Sequence, residues 1–259
     1  MRKHVHIVGC SPRSGTSLIH QMIKTCFNNV DACAHEMSFF KSETLCGDIV
    51  CTKSPREVPY VSWLLRLNPN LYVIYMVRDP RDVVVSQHKK SGNKYYSNLS
   101  VWESSEAIRS KLNGRERFFS IKYEDLVSNP DSIQRQLVDK MPFLKAKCKF
   151  SEFHQHAETD QRALLAMNGV RPVTSASVGR WRDHLPRLKA QLETSDNISE
   201  ALISLGYESD EKWEGCLDGV SPTYYESEID GYIPYDSVKF KYRVFRKVIE
   251  NMISKIFLR

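Results

Sequence analysis

The spacing of apolar and polar residues predicts a chain in which short strands alternate with helices. The run LYVIYMV at 71–77 is almost entirely apolar and rich in β-branched and aromatic residues, which is typical of a parallel strand buried on both faces. Other short apolar runs predict strands at 5–8, 30–34, 49–52 and 118–123. Helical spacing predicts helices that begin at 16 or 17 and at 80, and further helices over 57–67, 103–112, 130–137 and 198–205. This alternation predicts an α/β fold with a central parallel sheet flanked by helices.

The loop after the first predicted strand has the character of an anion site. Gly9 and Gly15 let the backbone turn sharply, and Gly15 lets it pass close to a ligand. The loop ends at a helix start, where unpaired N–H groups and the helix dipole favour an anion. Its side chains add one positive charge and three hydroxyl groups, from Arg13, Ser14, Thr16 and Ser17. The alternative is a glycine-containing turn that binds nothing.

This loop differs from the common nucleotide-binding pattern G-x-x-x-x-G-K-[ST]. One more residue separates the two glycines, and Thr16 stands where the lysine of that pattern would be. The sequence therefore predicts a site for a phosphate-like group without the usual phosphate-binding lysine.

A second candidate anion site follows the strand at 71–77. Arg78 lies at its carboxyl end, and Asp79-Pro80 can start a helix, with the aspartate as cap and the proline at the first helical position. Ser86 would lie about two turns into that helix. Arg78 and Ser86 could then reach one anion; alternatively, Arg78 pairs with Asp82 or another carboxylate.

Two further charged residues follow short strands. Glu36 comes after the strand at 30–34, and Lys53 after the strand at 49–52. Open α/β sheets place their chemistry at the carboxyl ends of the strands, so both side chains could face one crevice. The alternatives are a solvated loop carboxylate and a surface lysine. His154 and His156 lack an evident third ligand, so no metal site is predicted.

Composition narrows the class of protein only slightly. The 259 residues carry a net charge of +6, which suits an anionic small ligand and is too weak to indicate nucleic acid. The seven cysteines include no CxxC pair, which predicts free thiols in a reducing compartment. The sequence shows no signal peptide and no apolar stretch of about 18 residues. We therefore expect a cytoplasmic protein, with the membrane surface as a peripheral alternative.

The C-terminal segment 238–259 is basic and amphipathic. It contains seven Lys and Arg residues against one acid, Glu250. Apolar residues recur every three or four positions, at Val238, Tyr242, Phe245, Ile249, Met252 and Ile256. Such a helix could pack on the domain, pair in a homodimer or lie on an anionic membrane. We expect an α/β domain over 1–215 and a C-terminal extension over 216–259.

Three motifs together resemble a known family. SPRSGTS follows the first strand, VRDPRDVVVS follows the strand at 71–77, and SIKYEDL follows the strand that begins at 118. In this order they resemble the sulfotransferases that use 3′-phosphoadenosine 5′-phosphosulfate (PAPS). The resemblance covers about residues 5–181. It implies a P-loop-like three-layer α/β fold and a transferase that releases 3′-phosphoadenosine 5′-phosphate (PAP).

The resemblance also implies roles for particular residues. The loop residues that would hold the 5′-phosphosulfate are Arg13, Ser14, Gly15, Thr16 and Ser17. Arg78 and Ser86 would hold the 3′-phosphate, and Tyr123 would lie near the nucleotide. The stretch RPVTSASVGRW resembles the family's late loop over the nucleotide, in which Arg180 is the expected anion ligand.

The resemblance also indicates which branch of the family this sequence is most similar to, and therefore which residue would be the catalytic base. In the cytosolic aryl and steroid branch, a catalytic histidine stands two residues after a lysine; here Pro55 stands two residues after Lys53. The layout is more similar to the tyrosylprotein branch, with Glu36 and Lys53 at the matching positions. Glu36 would then take the proton of an acceptor hydroxyl, while Arg13 and Lys53 stabilise charge in an in-line displacement without a metal.

The acceptor and two rival functions stay open. The acceptor hydroxyl could belong to a glycan, a lipid-linked glycan, a tyrosyl peptide or a small alcohol. One rival is a P-loop kinase or NTPase, against which the missing lysine after Gly15 argues. The other is a non-catalytic nucleotide-binding module at a membrane, which the basic tail suggests.

Overall fold

The computed structural model describes residues 1–87, 94–158, 161–167, 169–195, 198–229 and 237–257. Five parallel strands form one sheet in the order β2-β3-β1-β4-β5. They are β1 (Lys3–Gly9), β2 (Val30–Ala32), β3 (Ile49–Lys53), β4 (Leu71–Val77) and β5 (Phe118–Lys122). The predicted parallel sheet is thus confirmed, with the apolar strand β4 next to the central strand β1.

Helices cover both faces of this sheet. The α-helices are α1 (Thr16–Cys26), α2 (Val61–Leu67), α3 (Pro80–Val84), α4 (Leu99–Leu112), α5 (Tyr123–Ser128), α6 (Pro130–Lys140), α7 (Phe153–His156), α8 (Gln161–Met167), α9 (Leu185–Leu192), α10 (Ile198–Ser204) and α11 (Val238–Phe257). Short 3₁₀ helices span Phe39–Thr44, Pro55–Tyr60, Phe150–Glu152, Arg180–His184 and Glu211–Leu217.

The side chains of the central strands alternate between two apolar cores, one on each face of the sheet. Along β4, Tyr75 joins the core under α4 and α9, whereas Ile74 and Met76 join the core under α1 and α6. Trp102 and Ile19, both at most 1% exposed, fill the two cores from the helix side. The result is the predicted three-layer α/β architecture.

The strand order places a crevice at the carboxyl end of β1. The chain leaves β1 towards β2 and β3 on one side, then crosses to β4 on the other side. Ligands of open α/β sheets bind where the order reverses in this way. Strand β1 ends at Gly9, β3 ends at Lys53, and Arg78 directly follows β4. These three neighbouring strands therefore bring the three residues to the same edge of the sheet.

Two predicted helices differ in detail. The segment predicted as one helix at 57–67 is a 3₁₀ helix, Pro55–Tyr60, followed by α2, because Pro59 cannot donate a helical hydrogen bond. Helix α3 ends at Val84, so Ser86 lies beyond it and not two turns inside it. The carbonyl of Ser86 accepts a 2.9 Å hydrogen bond from the N–H of Tyr96, which diverts the chain from the helix.

The C-terminal segment forms the predicted long helix, α11, but packs through a different face. Val244 and Val248, each 2% exposed, enter the protein, and Phe245 meets the ring of Trp63 at 5.5 Å. Of the predicted stripe, Val238 and Tyr242 are 84% and 65% exposed. Ile249 is partly exposed, and the side chains of Met252 and Ile256 lie outside the described part. The domain division at residue 215 stays a prediction.

None of the helices in the described ranges has both the length and the apolar character that crossing a bilayer requires.

Candidate functional site

The loop between β1 and α1 is folded tightly. Gly15 adopts φ +93° at the start of α1, and a Cβ there would stand 2.5 Å from Cδ2 of Tyr123. A Cβ on Gly9 would stand 2.2 Å from the hydroxyl oxygen of Ser14. Arg13 holds φ +77°, a conformation that costs free energy in a residue with a side chain. Such compact packing fixes the direction of the loop's N–H groups.

The start of α1 keeps the features of an anion site. No side chain caps the helix at Gly15, and the first turn carries no acidic residue. The buried hydroxyl of Ser14 has no hydrogen-bond partner within the described residues. Thr16 and Ser17 begin the helix beside it. The dipole and these donors together favour a negatively charged group.

Arg78 extends from the end of β4 towards the same loop. It is 8% exposed and donates hydrogen bonds of 2.9 Å to the carbonyl of Arg13 and 2.6 Å to that of Ser177. Its guanidinium lies 4.4 Å from the ring centroid of Tyr123, and its Nε has no partner in the described part of the chain. Asp82, the alternative partner for Arg78, instead accepts hydrogen bonds from the backbone around Arg180.

Arg13 and Ser86 meet next to Arg78. The Nε of Arg13 donates a 3.2 Å hydrogen bond to the hydroxyl of Ser86. Burial, and then the nearby charge of Arg78, lower the pKa of Arg13. The positive charges of Arg13 and Arg78 therefore repel each other, and an anion bound beside both would relieve the repulsion.

Lys53 connects the loop to Glu36. Its Nζ lies 2.9 Å from the hydroxyl of Ser17 and 3.3 Å from a carboxylate oxygen of Glu36. Lys53 is 1% exposed, whereas the side chain of Glu36 is 52% exposed. The side chain of Lys53 is therefore buried, whereas the carboxylate of Glu36 can be reached from solvent.

A buried polar network holds the chain just after Glu36. Glu57 accepts a short hydrogen bond from the hydroxyl of Ser38 and a 2.8 Å bond from the N–H of Phe39. Nε2 of His6 lies 3.3 Å from the same carboxylate, and its Nδ1 lies 2.7 Å from the hydroxyl of Thr52. No role was predicted for Glu57, which begins the helix predicted over 57–67.

The carboxyl of Glu57 is held in its charged form. Burial by itself would raise the pKa of Glu57, but His6, Ser38 and the backbone of Phe39 outweigh burial, so the pKa lies below its ordinary value. Glu57 thereby ties the segment that carries Glu36 to the edge of the sheet.

Replacing Glu57 by glutamine should lower the free energy of unfolding by about 1–3 kcal/mol at neutral pH. Because its folded-state pKa lies below the ordinary value of 4.5, the charged carboxylate stabilises the fold above that value. This contribution is lost as pH falls through the folded-state pKa. Urea unfolding at neutral and acid pH should show the two proteins converging in acid; a difference that does not change with pH would contradict the assignment.

One cleft brings most of the predicted nucleotide residues together. Its polar lining includes Arg13, Gly15, Thr16, Ser17, Arg78 and Tyr123. Its apolar lining includes Leu18, Val127, Phe153, Met167 and Val173. The apolar wall was not predicted, because its residues come from four parts of the chain that are distant in sequence: Leu18, Val127, Phe153 and the stretch 167–173.

The late loop brings a second arginine, Arg171, to the cleft. Arg171 lines the cleft, whereas Arg180 is exposed and lies outside its lining. Gly179 adopts φ +76°, and Asp82 accepts hydrogen bonds from the N–H groups of Gly179 and Trp181. This turn sets the backbone on either side of Arg180. Arg180 stays the predicted anion ligand of this loop, and Arg171 is a second candidate because it lines the cleft.

Within the described residues, no group of three or more His, Cys, Asp or Glu side chains could hold a metal ion. His154 and His156 lie in the short helix α7.

Comparison with known families gives one match. A sequence model described as "Sulfotransferase family" matches residues 32–142. The match includes Glu36, Lys53, Arg78, Ser86 and Tyr123, and it begins after the β1–α1 loop. Comparison with curated proteins finds no match.

The structural comparison finds similarity to solved structures of sulfotransferases. The mouse sulfotransferase SULT7A1 complexed with PAP aligns with a TM-score of 0.52 and 14% identity, over 83% of this chain and 88% of that chain. The sulfotransferase domain of the Synechococcus PCC 7002 olefin synthase gives 0.43 and 15%, over 70% and 88%. The domain from the curacin biosynthetic pathway gives 0.38 and 16%, over 71% and 98%.

The family match and the shared fold confirm the resemblance that the motifs predicted. Residues 32–142 thus match the sulfotransferase family model, and the fold of the chain is similar to that of a solved sulfotransferase.

Proposed function

We propose that this chain transfers a sulfuryl group from PAPS to an acceptor hydroxyl. The observation that carries the proposal is the double contact of Lys53, which touches both Ser17 at the start of α1 and Glu36. It joins an anion-binding helix start to a solvent-accessible carboxylate. A transferase needs this juxtaposition, because the donor group and the base must reach one acceptor.

The cleft suits a nucleotide with two separate anionic ends. The β1–α1 loop would hold the 5′-phosphosulfate, through Arg13, Ser14, Gly15, Thr16 and Ser17. Arg78 and Ser86 would hold the 3′-phosphate, and the ring of Tyr123 packs against the guanidinium of Arg78. The apolar wall offers a place for the adenine ring. The mouse neighbour, whose fold this chain shares, is complexed with PAP.

Glu36 would act as the general base. Its carboxylate accepts the proton of the acceptor hydroxyl while the hydroxyl oxygen forms a bond to sulfur. The bond between sulfur and the 5′-phosphate oxygen breaks on the opposite side, and PAP leaves with the electron pair. Lys53, Arg13 and the N–H groups of α1 stabilise the negative charge that develops on that oxygen.

The acceptor and the location belong to the same proposal. The exposed side of Glu36 admits a hydroxyl of a glycan, a lipid-linked glycan, a tyrosyl peptide or a small alcohol. We place the protein in the cytoplasm, and the seven cysteines without a CxxC pair support this.

Calorimetry with the unmodified chain tests the nucleotide. PAP should bind at least about a hundredfold more tightly than AMP, since the two differ only in the 3′-phosphate that Arg78 and Ser86 would contact. ADP and ATP with magnesium serve as comparators. A preference for ATP with magnesium would favour a kinase or NTPase. Tight PAP binding with no transfer to any hydroxyl in a broad panel would favour a non-catalytic module.

A further inference from the structure

Helix α11 has two apolar faces: within the described residues one is buried, and the other is largely exposed apart from the contact of Phe245 with Trp63. Val244 and Val248 form the covered face, each 2% exposed. Val238, Tyr242 and Phe245 are 84%, 65% and 44% exposed, and Ile249 continues their spacing. Positions three and four residues apart share one side of a helix, so these residues form one open stripe.

This stripe is unusual for a helix that already packs on a domain. A surface helix normally has one apolar face and polar residues elsewhere. The sequence places apolar side chains every three or four residues along a face that points to solvent. A second partner for that face is therefore implied.

The charge of α11 identifies the partner. The helix contains six Lys and Arg residues and one acid, Glu250. Lys239, Lys241, Arg243 and Arg246 are all exposed around the stripe. A second copy of α11 would bring the same positive charges together, whereas an anionic lipid surface would neutralise them.

We propose that the open stripe of α11 (Val238, Tyr242, Phe245 and Ile249) binds the surface of an anionic membrane. The apolar side chains enter the headgroup region, and the basic side chains reach the lipid phosphates and carboxylates. The covered face keeps the helix attached to the domain. Lys247, whose Nζ lies 4.9 Å from the ring centroids of Phe40 and Tyr60, adds to that attachment.

Vesicle sedimentation of the full chain tests this surface. The protein should sediment with vesicles of phosphatidylcholine and phosphatidylserine, and much less with phosphatidylcholine alone. Added salt should weaken the binding. The pair Val238→Asp and Tyr242→Asp should reduce it at least about tenfold. The pair Lys239→Glu and Arg243→Glu should reduce it by at least about twentyfold, at about fivefold for each basic residue lost.

The matched control is Leu165→Asp, since Leu165 is 62% exposed but lies in α8. It should leave vesicle binding unchanged. Circular dichroism and the melting temperature show whether each variant is folded, which is expected because the substituted side chains are exposed. Equal binding to both vesicle types, or unchanged binding by the aspartate pair, would overturn the proposal. A dimer in sedimentation equilibrium that Tyr242→Asp dissociates would also overturn it, in favour of a second copy.

Discussion

Replacing Arg78 by alanine should weaken PAP binding by about a hundredfold and change AMP binding by less than about threefold. A buried guanidinium that forms two charge-assisted hydrogen bonds to a phosphate contributes on this scale. Arg78 is 8% exposed, its Nε has no partner in the described chain, and Arg13 and Ser86 lie beside it. Calorimetry of both nucleotides with both proteins measures the effect.

The affinity for AMP shows whether the Arg78→Ala variant has lost a specific phosphate contact or the shape of the cleft. Arg78 also donates to the carbonyls of Arg13 and Ser177, so its loss could loosen the cleft. A loosened cleft would weaken AMP binding as much as PAP binding. That result would contradict a specific contact between Arg78 and the 3′-phosphate. Arg78→Lys should fall between wild type and alanine, because lysine keeps the charge but not the planar fork.

A second pair of arginines provides a matched control. Arg180→Ala should leave PAP binding within about twofold of wild type, because Arg180 lies outside the cleft lining. Arg171→Ala should weaken it, since Arg171 lines the cleft. The reverse result would support Arg180, the anion ligand that the motif implied.

The difference between these two arginines shows what the sequence could not decide. Both lie in one basic loop, and the resemblance favoured Arg180. The backbone around Arg180 depends on Asp82, which is 97 residues before Gly179 and accepts its N–H. A long-range hydrogen bond of this kind leaves no local pattern in the sequence. The sequence therefore identifies the basic loop, but not which of its arginines faces the cleft.

Where one strong local signal dominates, the prediction from sequence was accurate. The apolar run at 71–77 became β4 with the predicted bounds, because burial on both faces requires an almost wholly apolar strand. Asp79 caps α3 as predicted, accepting the N–H of Arg81. Gly15 adopts the positive φ that a sharp loop needs. Each of these features is determined within a few residues of chain.

Features that depend on packing between distant segments were not predictable. The hydrophobic pattern of α11 identified the helix but not its covered face, which depends on where α2 and the 3₁₀ helix Pro55–Tyr60 lie. Glu57 has no visible partner in the sequence, since His6, Ser38 and Phe39 reach it from other segments. Hydrophobic periodicity thus predicts where helices and strands form, but not which other segments they contact.

Glu36→Gln should lower kcat by about 10²–10⁴-fold while changing PAP affinity by less than about twofold. Glutamine has nearly the same shape and can still accept a hydrogen bond from Lys53, which lies 3.3 Å away. It cannot take a proton from the acceptor. PAP release is measured first with wild type over the hydroxyl panel, and then with the variant on the acceptor that reacts best.

The matched control is Glu43→Gln, because Glu43 is an exposed glutamate on the neighbouring 3₁₀ helix Phe39–Thr44. It should keep kcat within about twofold of wild type. Full turnover by Glu36→Gln would place the base elsewhere. A rise in KM with unchanged kcat would mean that Glu36 binds the acceptor without moving its proton. Loss of kcat alone is the result that a general base requires, since proton removal matters only as the bond to sulfur forms.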